Sequence, residues 1–200
     1  MNMKTRLPIA SLALFAAAAC SEAPATGPAL DAVAGVDASA SASAASHVPF
    51  VQTLCVVDET FTSPPRFTDG VLHLHGGAIV NEVTLHGDIE GEGVGVWNAD
   101  LHAATGTGPI RGAFQFTVTE IFGQPVDGGI EGTAHGRSDG PTFTGNAVGH
   151  GTGDLAGMKF RYGFDDVGHP GVFDQYGVVT DPTGALSEPA SHDSGECPAT

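Results

Sequence analysis

Positive charge is scarce. Of 200 residues, 23 are Asp or Glu and only seven are Lys or Arg. A surface with that balance repels phosphate backbones and anionic bilayers, which excludes nucleic-acid binding. Beyond residue 20 no apolar run is long enough to make a membrane-spanning helix. Cysteine is sparse too. The chain has three, and no Cys-x-x-Cys motif on which dithiol redox chemistry would rest. Nucleophile patterns are poor, because Ser138 sits in a turn with no base beside it. The glycines lie among strand and hairpin residues and do not precede a helix, so they form no phosphate-binding loop. No segment of the body carries a convincing 3.6-residue hydrophobic period, which argues against helices.

What is present begins with an export signal. Lys4 and Arg6 precede an apolar run from Leu7 to Ala19. That run is too short to span a bilayer and suits a signal-peptide core, so residues 1–20 are expected to be one. Ala17-Ala18-Ala19-Cys20 resembles a bacterial lipobox, with Ala17 where a larger aliphatic residue is usual. Two processing routes fit: acylation of Cys20, which is favoured, and simple cleavage in the same alanine run. Residues 21–46 are rich in Ala, Ser and Pro. They can bury little apolar surface and read as a disordered tether. All 23 acidic residues but only five of the seven basic ones follow Cys20, so the mature chain carries −18 with histidine neutral. The expected location is the bacterial cell envelope or the extracellular space. Membrane contact is expected only through the lipid.

Residues 47–182 form the expected folded domain, and residues 183–200 a C-terminal tail. Several segments alternate with period two, which puts one face in a core and the other in water. Ile110, Gly112, Phe114, Phe116 and Val118 oppose Arg111, Gln115, Thr117 and Thr119. Met158, Phe160, Tyr162 and Phe164 oppose Lys159 and Arg161. Val83, Leu85 and Ile89 oppose Glu82, Thr84, His86, Asp88 and Glu90. Asp-Gly and Gly-Gly pairs between the runs supply hairpin turns. The pattern predicts about eight strands, near 48–57, 71–77, 80–89, 91–103, 109–121, 129–137, 141–150 and 155–164, with room for a ninth at 175–180. Many short strands joined by hairpins suit an up-and-down barrel or a sandwich. Gly91, Gly93 and Gly95 on one strand face favour the barrel, because missing side chains permit sharp coiling. The expected fold is therefore all-β: a single antiparallel, closed, Gly-rich β-barrel of about eight strands.

If Cys20 is acylated, Cys55 and Cys197 remain, one near each end of the folded part. In an oxidising compartment they are expected to pair. One buried thiol and one loose thiol in the tail is the alternative.

Gly87-Asp88-Ile89-Glu90-Gly91-Glu92-Gly93-Val94-Gly95 is similar to the Gly-Asp-x-x-Gly-x-Gly strand of allene oxide cyclase-like barrels. His150-Gly151-Thr152-Gly153-Asp154-Leu155-Ala156-Gly157-Met158 resembles their later Gly-rich hairpin. The resemblance covers about residues 70–165 and extends to exported bacterial members with the same glycine pattern. It implies an eight-stranded barrel with a mostly apolar lumen. The group includes plant cyclases, bacterial cyclases of polyketide-type intermediates and dirigent-like proteins. Its motifs concern fold, and no catalytic residue is carried over from it.

Candidate chemistry is limited. His73 and His75 are two apart on a strand, hence on one face and able to share a metal. Gly70-x-x-His73-x-His75 is similar to a cupin start, but the first Glu afterwards is Glu82, too far on, and the second cupin motif is absent. A solvated face is the simpler reading of the pair, and no cofactor is expected. His86 and His102 would join only if the sheet brought them close. Asp88, Glu90 and Glu92 share one face and read as a solvated acidic stripe. Glu120, at the end of the Phe114/Phe116/Val118 face, is the one acid placed to serve as a barrel-mouth catalytic group. The aromatic set Trp97, Phe114, Phe116, Phe160, Tyr162 and Phe164 is the main functional lead, since a small barrel can hold one apolar ligand. The same side chains are also what a filled core needs. The first expectation is thus a non-catalytic, acidic, lipid-tethered barrel binding a small hydrophobic ligand. A cyclase or isomerase using the same lumen comes second, and a divalent-metal-binding surface module third. Oligomeric state leaves no trace in the sequence.

Overall fold

The computed structural model describes residues 44–166, 169 and 171–198. The expected signal peptide, the lipidation site Cys20 and nearly all of the tether lie outside the described residues. Alternating apolar and polar positions give nine strands and, among the described residues, no helix. They are β1 (Ser46–Phe61), β2 (Arg66–Thr68), β3 (Val71–Gly87), β4 (Ile89–His102), β5 (Thr107–Ile121), β6 (Gln124–Asp139), β7 (Phe143–Gly153), β8 (Lys159–Asp166) and β9 (Val172–Asp181). All pairings are antiparallel, and hydrogen bonding runs β1-β9-β8-β7-β6-β5-β4-β3. β1 also pairs with β3, so the sheet returns on itself through eight strands, with the short β2 outside the ring on β3. Returning on itself removes the open edges that would invite pairing with other chains.

The first strand is long because it serves two neighbours. Ser46 to Cys55 pair with β9, and Gln52 to Phe61 pair with β3. The ring partitions the chain differently from the sequence expectation. Segments 71–77 and 80–89 fuse into β3, which passes through a register shift where Gly76 and Gly77 take φ of +77° and +70°. Only glycine adopts that backbone cheaply, so the strand can bend there without ending. The strand expected from residue 155 starts at Lys159, because 154–157 form the hairpin turn. The optional ninth segment is a full strand, β9, and it closes the ring between β8 and β1.

Gly91, Gly93 and Gly95 have ordinary negative φ, so backbone freedom is not their purpose. They make room. A Cβ at Gly93 would collide with Phe116, and one at Gly95 or Gly112 with the Trp97 indole. A Cβ at Gly132 would meet the Phe114 ring, and one at Gly145 the Phe164 ring, in the same way. Inside the ring, aromatic side chains occupy the space that a Cβ at these glycines would take, a pairing that rescues glycine in a sheet.

One end of the ring is filled. Phe50, Leu85, Ile89, Val118, Ile121, Leu155, Phe160 and Val179 are fully buried there. Side chains of this size contribute roughly 1.5–3 kcal/mol each relative to exposure. Leu186, from the segment after β9, joins the same cluster. A smaller cluster of Leu74, Ala78 and Ala99 packs separately.

Residues 183–198 contain no strand, yet they are fastened to the sheet. Buried Asp181 accepts hydrogen bonds from the Thr183, Ala185 and Leu186 amides and turns the chain back. His192 Nδ1 stands 2.6 Å from Asp88 Oδ2, and the Thr53 hydroxyl donates to the Gly195 carbonyl. Cys197 forms a disulfide with Cys55 across 142 residues of sequence. The C-terminal segment is therefore a strap crossing β1 toward the corner between β3 and β4. Asp88 is corrected by this finding. It is buried at that corner, where it also accepts from the Val51 amide, and does not belong to a solvated stripe with Glu90 and Glu92.

Candidate functional site: a half-open apolar lumen

Toward the opposite end the interior is not filled. The strands turn Leu54, Val83, Phe114, Phe116, Ala134, Ala147 and Tyr162 inward, where they form the deep wall of a cavity of about 230 Å³. Small residues are the local reason. Ala134 faces Ala147 across the β6–β7 pair, and Gly95 faces Phe114 across β4–β5, so large side chains do not meet in the middle. Burial falls off toward the mouth, where Val56, Ile79, Trp97, Ile110, Phe143 and Phe173 are half-buried and Glu59 is exposed. A dry cavity of about 150 Å³ takes up benzene, so this volume suits something larger.

Aromatic edges build the rim. Trp97 meets Phe143 and Phe164 edge-on, with ring centroids 6.2 and 6.5 Å apart. Phe173 meets the same two phenylalanines at 5.9 and 6.4 Å. Deeper in, Phe114 stacks on Phe116 at 4.7 Å and tilts against Tyr162 at 6.0 Å. Each such pair adds about 0.5–1.5 kcal/mol beyond the area it buries, which holds the wall in shape without closing the space.

Four polar groups interrupt the apolar wall. Tyr162 is only 7% exposed, and its hydroxyl makes no hydrogen bond among the described residues. Burial pushes its phenol well above the usual tyrosine pKa, so it stays protonated and serves as a donor. Asn81 Oδ1 is buried with no partner among the described residues. Gln175 lines the cavity while its Oε1 accepts from Gln52 Nε2. The Glu59 carboxylate stands at the mouth. The unpartnered, buried Asn81 Oδ1 costs about 1–3 kcal/mol, which a bound molecule with a donor would recover.

The sequence-predicted residues divide. Trp97, Phe114, Phe116, Tyr162 and Phe164 line the cavity together. Phe160 does not: it is 1% exposed and packs in the filled end. Glu120 is half-buried at the β5–β6 hairpin beside that same filled end and lines no part of the cavity. The acid at the mouth is Glu59. Sequence reasoning missed Phe143 and Phe173, whose inward positions follow from the alternation of β7 and β9. It also missed Asn81 and Gln175, polar residues on inward positions of apolar-faced strands.

His73 and His75 lie on the outer face of β3, away from the lumen. His73 Nδ1 and His75 Nε2 both approach Asp100 Oδ1, at 2.6 and 2.7 Å. The two histidines hold the Asp100 carboxyl below its ordinary pKa, with the His73 hydrogen bond the largest cause. His86 and His102 are not part of this group. Gly136-Arg137-Ser138-Asp139-Gly140 spells a nucleophile-elbow pattern, but it ends a strand at a hairpin and precedes no helix. Ser138 Oγ contacts only the Gly140 backbone, so no base activates it among the described residues.

No protein-family model and no curated protein matches the chain.

Proposed function

We propose that this protein is an exported, lipid-tethered β-barrel that binds one small, mainly apolar molecule without transforming it. The observation that carries this reading is a half-open aromatic cavity with an unpartnered Tyr162 hydroxyl in its deep wall. A ring of eight strands with one packed end and one open end is the expected form of a small ligand-holding barrel. The allene oxide cyclase-like kinship belongs to the same proposal, as does anchoring through an acylated Cys20. The ligand carries a carbonyl or hydroxyl that pairs with Tyr162. It is neutral or cationic, because Glu59 at the mouth and the acidic surface disfavour anions.

A cyclase or isomerase is the second reading, favoured by the same phenol. A donor held protonated in a dry pocket can polarise a carbonyl while the walls hold a reactive substrate in shape. It is the second reading because the deep wall pairs no titratable base with that phenol.

The test is titration of untagged mature protein with an environment-sensitive apolar dye, followed by displacement with neutral aromatic compounds. Tyr162→Phe is expected to weaken ketones and alcohols by roughly threefold to tenfold, the value of one hydrogen bond, and to leave matched hydrocarbons unchanged. Failure of the native protein to bind any dye or hydrocarbon would remove the proposal.

A further inference from the structure

On the outer face of the sheet, three side chains from two strands point at one spot. His73 and His75 alternate outward on β3, and the β3–β4 register sets Asp100 directly opposite His73. One ring nitrogen of His73, one of His75 and an Asp100 oxygen all lie within 4.8 Å of one another. The two imidazoles face each other edge-on with centroids 5.6 Å apart. Stability does not explain the arrangement. The side chains are 31%, 61% and 43% exposed, and ion pairs that open to water contribute only about 0–1 kcal/mol.

We propose that His73, His75 and Asp100 form a binding site for a divalent transition-metal cation such as zinc. Two imidazole nitrogens and one carboxylate oxygen make a donor set that suits zinc and its neighbours, whereas calcium and magnesium seek all-oxygen shells. Ligands at 2.0–2.1 Å from a tetrahedral zinc stand about 3.3 Å apart. The two nitrogens now sit 2.6 and 2.7 Å from the oxygen, so each separation widens by roughly 0.6 Å as the cation replaces the bridging protons. Side-chain rotation supplies that much without moving either strand. His75 and Asp100 also line a surface depression with Asn98, Pro109 and Arg111, from which water or an outside ligand can reach the cation. A formal charge of −16 on the whole chain draws cations toward the surface. The site lies on the opposite face of the sheet from the lumen and stands whether or not the lumen binds anything.

The experiment uses mature protein without a histidine tag, stripped with a chelator and titrated with zinc alone by calorimetry. One equivalent is expected. His75→Ala and Asp100→Asn should each weaken binding by about tenfold or more. His150→Ala, which removes an exposed histidine on β7 outside the group, should leave the affinity unchanged. Cobalt substituted for zinc should give the intense visible absorption of four-coordinate geometry, lost in Asp100→Asn. Less than a tenth of an equivalent of zinc on the native protein, or equal affinity in both cluster variants and the parent, would overturn the proposal.

Discussion

Replacing Ala147 with leucine separates a hollow interior from a filled one by the sign of a single number. Ala147 is buried in the cavity wall opposite Ala134 and Tyr162. Leucine extends three carbons from it into the space. Burying them contributes about 0.8 kcal/mol each, roughly 2.4 kcal/mol together. Fixing the new rotamer costs roughly 0.5–1 kcal/mol. The net gain is about 1.5 kcal/mol, which raises the melting temperature of a domain this size by about 3–6 °C. If the interior were already close-packed, the same leucine would be overpacked and would cost about 1–3 kcal/mol. Differential scanning calorimetry of parent and variant decides between the two. Dye binding measured beside it should fall about tenfold or more, since the leucine occupies ligand space. A lower melting temperature would refute the hollow lumen, and so would higher stability with undiminished dye binding.

The strap makes two further predictions. Reducing the Cys55–Cys197 disulfide, or replacing both cysteines with serine, releases a loop of 142 residues. The loss approaches about 5 kcal/mol in the chain-entropy model, and denaturant midpoints with and without reductant measure it. His192 is held above its ordinary pKa, chiefly by the hydrogen bond to Asp88, with the Asp88 and Glu188 charges adding to it against a desolvation penalty. A raised folded-state pKa means the contribution is complete below the ordinary histidine value of 6.5 and disappears as pH rises through the folded value. The parent should therefore lose melting temperature relative to His192→Asn as pH rises above 6.5. Parallel curves across that range would remove the clamp from the account.

Much of the ring was legible because period two is a strong signal wherever one face is wet. Phe114, Phe116 and Val118 on β5 and Tyr162 and Phe164 on β8 could be assigned inward from alternation alone, and they are inward. What alternation cannot give is depth along the strand axis. Phe160 and Phe164 read identically in sequence, yet one packs in the closed end and the other lines the cavity. That distinction depends on where along β8 the neighbouring strands fill the interior, which the pairing of β8 with β7 and β9 sets and the alternation of β8 alone does not. Asp100 was invisible for a related reason. It is 25 residues from His75, and only the β3–β4 register makes them neighbours. Asp88 continued the apparent period of Glu90 and Glu92, but the chain turns there and points its carboxylate at the strap instead of at water.

Crystals of the mature protein pressurised with xenon test the enclosed apolar space most directly, because xenon reports on empty, dry volume and needs no assumption about the natural ligand. The predicted result is one strong xenon peak bounded by Trp97, Phe114, Ala147 and Tyr162. Xenon-free density there, with side chains collapsed into the space or β1 parted from β9, would contradict the account.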